Sequence, residues 1–266
     1  MGPRYRRATV FALVSLIAAC AGPDVDRAPT RPPDVSAVPD AVPRAEPRSA
    51  SGNPPFYEVN GRRYHVMNSS RGYRKRGVAS WYGQKFHGRR TSSGETYDMY
   101  SMTAAHKTLP LPAYARVTNL ANGQSVVVKI NDRGPFIDNR LIDLSYAAAN
   151  RLDMIRAGTA MVEVEVLDPA APALPATTTE VTPRTADGSM YIQAGAFRSK
   201  ENAESLARRV RAQASGDTRV FIRRDSVDGD PIYRVRIGPV AGVDQFDRLV
   251  EQMARIGISD AYLALD

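Results

Sequence analysis

Two proline-rich stretches divide the chain before any motif is considered. Residues 21–55 hold nine prolines, and residues 168–186 hold four beside the run Thr177-Thr178-Thr179. Proline fixes φ and removes a backbone donor, so neither stretch sustains a helix or a central strand. Both are poor in large apolar side chains and bury too little surface to offset the entropy of ordering. What remains to fold is 56–167 and 187–266, each the size of a small domain. The segment 20–55 reads as an extended tether that reaches on the order of 100 Å at ~3.1 Å per residue, and 168–186 reads as a linker.

The amino terminus carries Arg4, Arg6 and Arg7, then an apolar run from Ala8 to Ala19 broken only by Thr9 and Ser15. That run is too short to span a bilayer. A charged start, a short apolar stretch and small residues at the cut make 1–19 a secretory signal. Cys20 is the single cysteine, which excludes an intramolecular disulfide. The ending Leu16-Ile17-Ala18-Ala19-Cys20 resembles the lipobox of bacterial lipoproteins, which implies lipid attachment at Cys20 and a membrane-anchored, exported protein. Ala21 after the cysteine, rather than Asp, points to the outer membrane under the enterobacterial sorting pattern.

Between 56 and 167 the pattern is short strands. Val126, Val128 and Ile130 alternate with Ser125, Val127 and Lys129, and Val162, Val164 and Val166 alternate with Met161, Glu163 and Glu165. A period of two marks half-buried strands. Val78–Tyr82, Ala115–Asn119 and Leu141–Leu144 are further candidates, Asn122-Gly123 is a hairpin turn, and Ser145 caps one short helix. Strands with so little helix predict a small closed barrel. After 187 the order is β-α-β-β-α-β. Met190–Phe197, Arg219–Arg223, Ile232–Ile237 and Ala261–Leu265 are the strands. Ala203, Leu206, Ala207 and Val210 recur at helical spacing behind Ser199, as do Phe246, Leu249, Val250 and Met253. This split βαβ pattern predicts a four-stranded sheet with both helices on one face and the other face free.

Several chemistries drop out. The chain has no His-Glu-x-x-His, no Cys-x-x-Cys, no P-loop and no Gly-x-Ser-x-Gly, and His65, His87 and His106 lack metal-ligand spacing. The net charge of +8 is concentrated in 56–167, with 16 Lys/Arg against 9 Asp/Glu, while 187–266 is neutral. A basic domain suits a polyanion, either nucleic acid or a wall polymer bearing carboxylates. Four loops stand out: Gly77-Val78-Ala79-Ser80-Trp81-Tyr82-Gly83, Thr91-Ser92-Ser93-Gly94-Glu95-Thr96-Tyr97-Asp98, Thr103-Ala104-Ala105-His106, and Asn131-Asp132-Arg133-Gly134-Pro135-Phe136. They supply carboxylates for acid–base work, groups to stabilise an oxocarbenium-like state, and aromatics that stack on sugar rings.

These segments, with Phe86-His87-Gly88, resemble the rare lipoprotein A family of septal lytic transglycosylases over roughly 52–167. Tyr191-Ile192-Gln193-Ala194-Gly195-Ala196-Phe197 and Val235-Arg236-Ile237-Gly238-Pro239 resemble a sporulation-related repeat (SPOR) domain. The resemblance implies a six-stranded double-psi β-barrel over 56–167, followed over 187–266 by a small ferredoxin-like βαββαβ domain that binds glycan strands stripped of stem peptides. It places the functional residues on Asp132, Glu95 and His106. Departures from the family pattern are Asp153, where glycine is expected, and Met161, where a basic residue is common.

The activity implied is peptidoglycan lytic transglycosylation, endolytic or exolytic, at the septum. Asp132 is the acid, Glu95 stabilises the developing positive charge or holds Asp132 protonated by repulsion, and His106 is a support hydrogen-bonded to a carboxylate. Trp81, Tyr82, Ser93, Asn131 and Arg133 contact substrate, and Gln193, Gly195, Phe197 and Arg236 contact glycan. No cofactor and no metal is implied. Further partners are the membrane, through the lipid, and the division machinery; nucleic acid is not a partner, and the chain is a monomer. The blander readings are an ion pair of Asp132 with Arg133, a solvated Glu95, and Trp81 and Tyr82 as core. As strand neighbours, Trp81 and Tyr82 point to opposite faces, so at most one lines a cleft. The alternative at the level of the whole protein is a non-catalytic, expansin-like wall binder.

Overall fold

The computed structural model describes residues 28–29, 32–137, 139–169, 189–213, 218–258 and 261–265. The signal segment, Cys20 and nearly all of the linker at 168–186 lie outside the described residues. The first domain opens with a hairpin, β1 (Phe56–Val59) and β2 (Arg62–His65), turned by Asn60 and Gly61, both at positive φ. The barrel strands are β3 (Arg74–Tyr82), β4 (Thr103–His106), β5 (Ala113–Asn119), β6 (Ser125–Asp132), β7 (Arg140–Ser145) and β8 (Ala160–Val166). They close in the order β3-β7-β4-β6-β5-β8, with β3–β7 and β4–β6 parallel and the remaining pairs antiparallel. The two parallel pairs need crossover connections rather than tight hairpins. Inward side chains such as Val117, Val126, Val128, Ile130, Ile142 and Leu144 are fully buried, as the period-two pattern predicts.

The helix α1 (Tyr146–Arg151) follows β7 directly. Ser145 caps it, its hydroxyl accepting from the Ala148 N–H at 3.2 Å. Just beyond, Asp153 sits at φ +53, the left-handed conformation that glycine adopts without steric cost. That explains why glycine is expected there.

The second domain is β9 (Met190–Phe197), α2 (Lys200–Gln213), β10 (Val220–Val227), β11 (Asp230–Ile237), α3 (Val243–Arg255) and β12 (Tyr262–Leu265), in sheet order β10-β11-β9-β12. Ser199 accepts from the Asn202 N–H at 3.1 Å and starts α2. The helix stripes predicted from the sequence, Ala203/Leu206/Ala207/Val210 and Phe246/Leu249/Val250/Met253, are the buried ones. Val78 and Met161 of the barrel join this domain's apolar cluster. Arg140 makes a two-pronged ion pair with Asp247 on α3, at 2.7 and 2.8 Å.

One expectation changes. The segment expected to be a free tether is, from residue 32 on, a strap laid along the barrel. Val35 is buried in the barrel's apolar cluster, Ala41 N–H donates to Val127 O at 3.0 Å, and Arg151 holds Val38 O and Asp40. The strap forms neither helix nor strand. It is tied to the barrel at points such as Ala41 and Ser49, whose N–H groups donate to Val127 O and Leu111 O, which composition alone does not encode.

Candidate active site

The strand β6 delivers its last residues to the rim. Lys129 and Asn131, two apart, both reach the Glu95 carboxylate. Beside them the turn Thr91–Glu95 closes on itself, Thr91 N–H to Glu95 O at 2.8 Å and Gly94 N–H to Thr91 O at 2.9 Å, with Gly94 at φ +92. This turn docks on the end of β6 through Ser93 N–H to Asn131 O at 3.1 Å. Two carboxylates are thereby brought to one rim although 37 positions separate them.

Asp132 is half-buried. Its Oδ1 accepts three hydrogen bonds, from Ser92 N–H (2.8 Å), Ser92 Oγ (2.7 Å) and Arg133 N–H (2.7 Å). Among the described residues Oδ2 has no hydrogen-bond partner and Asp132 no ion pair, so pairing with the Arg133 guanidinium is not its role. Glu95, with its side chain 43% exposed, binds Lys129 Nζ through Oε1 and Asn131 Nδ2 through Oε2, both at 2.7 Å. Burial alone would push its pKa up; the Asn131 and Lys129 hydrogen bonds outweigh burial and hold it below the ordinary glutamate value. Glu95 is therefore an anion at neutral pH.

His106 closes β4 and is fully enclosed. Nδ1 accepts from Thr108 N–H (3.2 Å) and Leu109 N–H (3.0 Å), and Nε2 faces the Tyr73 hydroxyl at 2.8 Å. Burial first, and then the charges of Lys107, Arg133 and Lys75, push its pKa down to about 3. The ring is neutral, with its proton on Nε2. Its partners are a tyrosine and two backbone amides rather than the expected carboxylate.

The remaining expected substrate contacts divide. Arg133 is committed to the protein: Nε and Nη2 donate to Gly52 O (2.9 and 2.7 Å), Nη2 to Asn53 Oδ1, and Nη1 to His106 O (3.1 Å) and Leu109 O (2.5 Å). Five hydrogen bonds occupy the guanidinium's donors, so it organises the rim. Tyr82 is core, stacked on Tyr97 with centroids 4.1 Å apart; burial, and after it Tyr97, Asp132 and Asp143, raise its hydroxyl pKa well above the ordinary value. Trp81 is half-buried on the other face, edge-on to Tyr146 at 6.0 Å. Of the two neighbours Trp81 is the one left for a ligand. The Ser93 hydroxyl pairs with Thr91 Oγ1 at 3.1 Å, and Asn131 is buried, with Nδ2 on Glu95.

In the second domain a bulge splits the four expected glycan contacts. Val235 pairs with Gly195 but Arg236 pairs with Gln193, leaving Ala194 as the extra residue. Gln193 and Arg236 share the helix-free face, where Gln193 Nε2 reaches the Tyr262 hydroxyl and Arg236 lies over Tyr191 at 6.0 Å. Gly195 and Phe197 lie on the helix side: a Cβ on Gly195 would come within 2.8 Å of both Leu206 Cδ2 and the Phe197 ring. Strict alternation puts Gln193, Gly195 and Phe197 on one face, and the bulge is what breaks it. Tyr191, Phe221, Arg234 and Tyr262 complete the free face and were not singled out; reading the alternation of all four strands together would have found them.

Residues 74–164 match the family model described as lytic transglycolase, and residues 186–264 match that of the SPOR domain. An endolytic peptidoglycan transglycosylase RlpA of Pseudomonas aeruginosa (strain UCBPP-PA14) is 42% identical over 280 residues, covering 85% of this chain and 80% of the relative. The protein of the same name from Vibrio cholerae (serotype O1) is 39% identical over 259 residues, 94% of each chain. That of Neisseria meningitidis serogroup A is 55% identical over 130 residues, 49% of this chain and 54% of its own.

Proposed function

We propose, from the premise that this chain belongs to the RlpA family of endolytic peptidoglycan transglycosylases, that Asp132 cleaves the bond between N-acetylmuramic acid and N-acetylglucosamine by proton transfer alone. The observation that carries this reading is the unequal environment of the two Asp132 oxygens. Oδ1 is filled by three donors, so a proton carried by this carboxyl rides on Oδ2. Oδ2 gives that proton to the glycosidic oxygen as the bond from the anomeric carbon breaks. The muramyl 6-hydroxyl attacks the same carbon, its proton passes to the Asp132 carboxylate, and a 1,6-anhydro end is left. The acid is regenerated and no water is consumed, so the two-carboxylate spacing of hydrolases does not apply.

Glu95, held ionised by Lys129 and Asn131, stabilises the positive charge that develops on the sugar ring. Trp81 offers a half-buried ring for stacking. The free face of the second sheet, with Tyr191, Gln193, Phe221, Arg236 and Tyr262, grips strands stripped of stem peptides. Cleavage falls within strands or from their ends at the division site, with the lipid on Cys20 anchoring the protein on the periplasmic side of the outer membrane. These finer points rest on the sequence signals and on the SPOR match.

The test is digestion of peptide-stripped glycan read by product mass. Wild type releases anhydro ends; Asp132→Asn releases none while still co-sedimenting with glycan. Products that have gained water would replace this mechanism by hydrolysis, and full activity in Asp132→Asn would remove Asp132 as the acid.

A further inference from the structure

The matched barrel begins at residue 74, yet two supports of the rim lie upstream of it. We propose that the strap segment Glu46–Asn53 is a working part of the active site, positioning Asp132 through Gly52 and Glu95 through Glu46. The proposal rests on the reading that these two carboxylates act on the glycan.

Gly52 is wedged into the rim. It sits at φ +80, and a Cβ there would stand 2.6 Å from Ser92 O and 2.9 Å from Ser92 C, backbone atoms that cannot step aside. Its carbonyl receives Arg133 Nε and Nη2. Ser92 and Arg133 are the two residues that provide all three donors on Asp132 Oδ1. Gly52 therefore sets the spacing between the groups that aim the acid. The register of the strap is locked nearby: Asn53 Oδ1 accepts from Leu111 N–H and Nδ2 donates to Leu111 O, both at 2.8 Å, while Ser49 N–H donates to the same carbonyl at 3.0 Å. Leu111 is wholly buried, so this lock is fixed to the barrel core.

Glu46 acts on the other carboxylate. Lys129 Nζ lies 2.7 Å from Glu95 and 3.1 Å from Glu46, and the Tyr114 hydroxyl donates to Glu46 Oε1. Arg44 Nε lies 3.3 Å from Glu46 on the other side, so in this group two carboxylates balance two cations. Neutralising Glu46 would leave Lys129 to compensate Glu95 alone, and the field felt by an oxocarbenium-like sugar would weaken. Both effects are expected on the transition state rather than on ground-state binding, because Gly52 and Glu46 act through Arg133 and Lys129.

The full-length protein tests this on stripped glycan. Gly52→Ala is expected to lower kcat ~10- to 100-fold, the scale of an ångström of misplacement at a reacting group, with KM within about twofold. Glu46→Gln, which is isosteric and needs no backbone shift, is expected to lower kcat several-fold with KM unchanged. Circular dichroism and melting temperature confirm folding, and Glu46→Gln decides the matter if Gly52→Ala fails to fold. Equal kcat in wild type and in folded Glu46→Gln and Gly52→Ala, with Asp132→Asn inert, overturns the strap proposal alone. A fully active Asp132→Asn instead overturns the reading on which it rests.

Discussion

At the scale of single residues, surroundings set the protonation of two groups near the rim, Glu95 and His106. The clearer is His106, neutral because it is buried among positive charges, with its Nδ1 lone pair taken by two backbone donors. Its folded pKa of about 3 lies below the ordinary value near 6.5. The unfolded chain therefore binds a proton at this site that the folded chain refuses, and stability present above pH 6.5 drains away as pH falls toward 3. The loss amounts to a few kcal/mol at most. Thermal melts of wild type and His106→Gln from pH 7.5 to 4.5 are expected to converge as pH falls, because the variant lacks this proton. Melting temperatures that stay parallel would show that His106 does not contribute to acid sensitivity. Arg133 makes the complementary point. Adjacent to the acid and cationic, it looks like a substrate ligand in the sequence, yet four protein acceptors claim it through five hydrogen bonds.

At the scale of elements, boundaries follow local chemistry. Ser145 ends β7 and caps α1 in one step. Ser145→Ala is expected to cost about 1 kcal/mol, read as a lower denaturant midpoint at constant m-value; an unchanged midpoint would mean that packing of Ala147–Ala149 alone holds α1. The strands of both domains were legible because their inward residues are apolar every second position, and the helices because theirs recur at 3.6. The hairpin β1–β2 carried a readable signal too, Asn60-Gly61 between aromatic-rich runs. The strand β4 did not: Thr103–His106 is only four residues long and mostly buried, so no alternation shows. The bulge in β9 was equally silent, because an inserted residue is defined by its partner strand.

At the scale of the whole molecule, the two domains touch through Val78, Met161 and the Arg140–Asp247 pair. The Arg140 side chain is only 14% exposed, so removing its partner strands a largely desolvated charge. Asp247→Ala is expected to destabilise by ~1–3 kcal/mol, and Arg140→Ala combined with it to recover part of that loss. Calorimetry of the two single variants and the double variant measures the coupling; strictly additive effects would reduce the contact to a surface pair.

The sequence by itself determined the division into two small domains, the order and period of nearly all elements, and the residue types gathered at the rim. Those are local properties, readable in a window of a dozen residues. Tertiary structure alone decided which oxygen of Asp132 is open, that Arg133 and Tyr82 serve the fold, that Gly195 and Phe197 turn toward the helices, and that a proline-rich stretch becomes part of the site. Each of these depends on a partner far away in the chain, such as Ser92 for Asp132, Arg236 for Gln193 and Leu111 for Asn53. A backbone without a periodic element leaves no pattern from which its partner can be read.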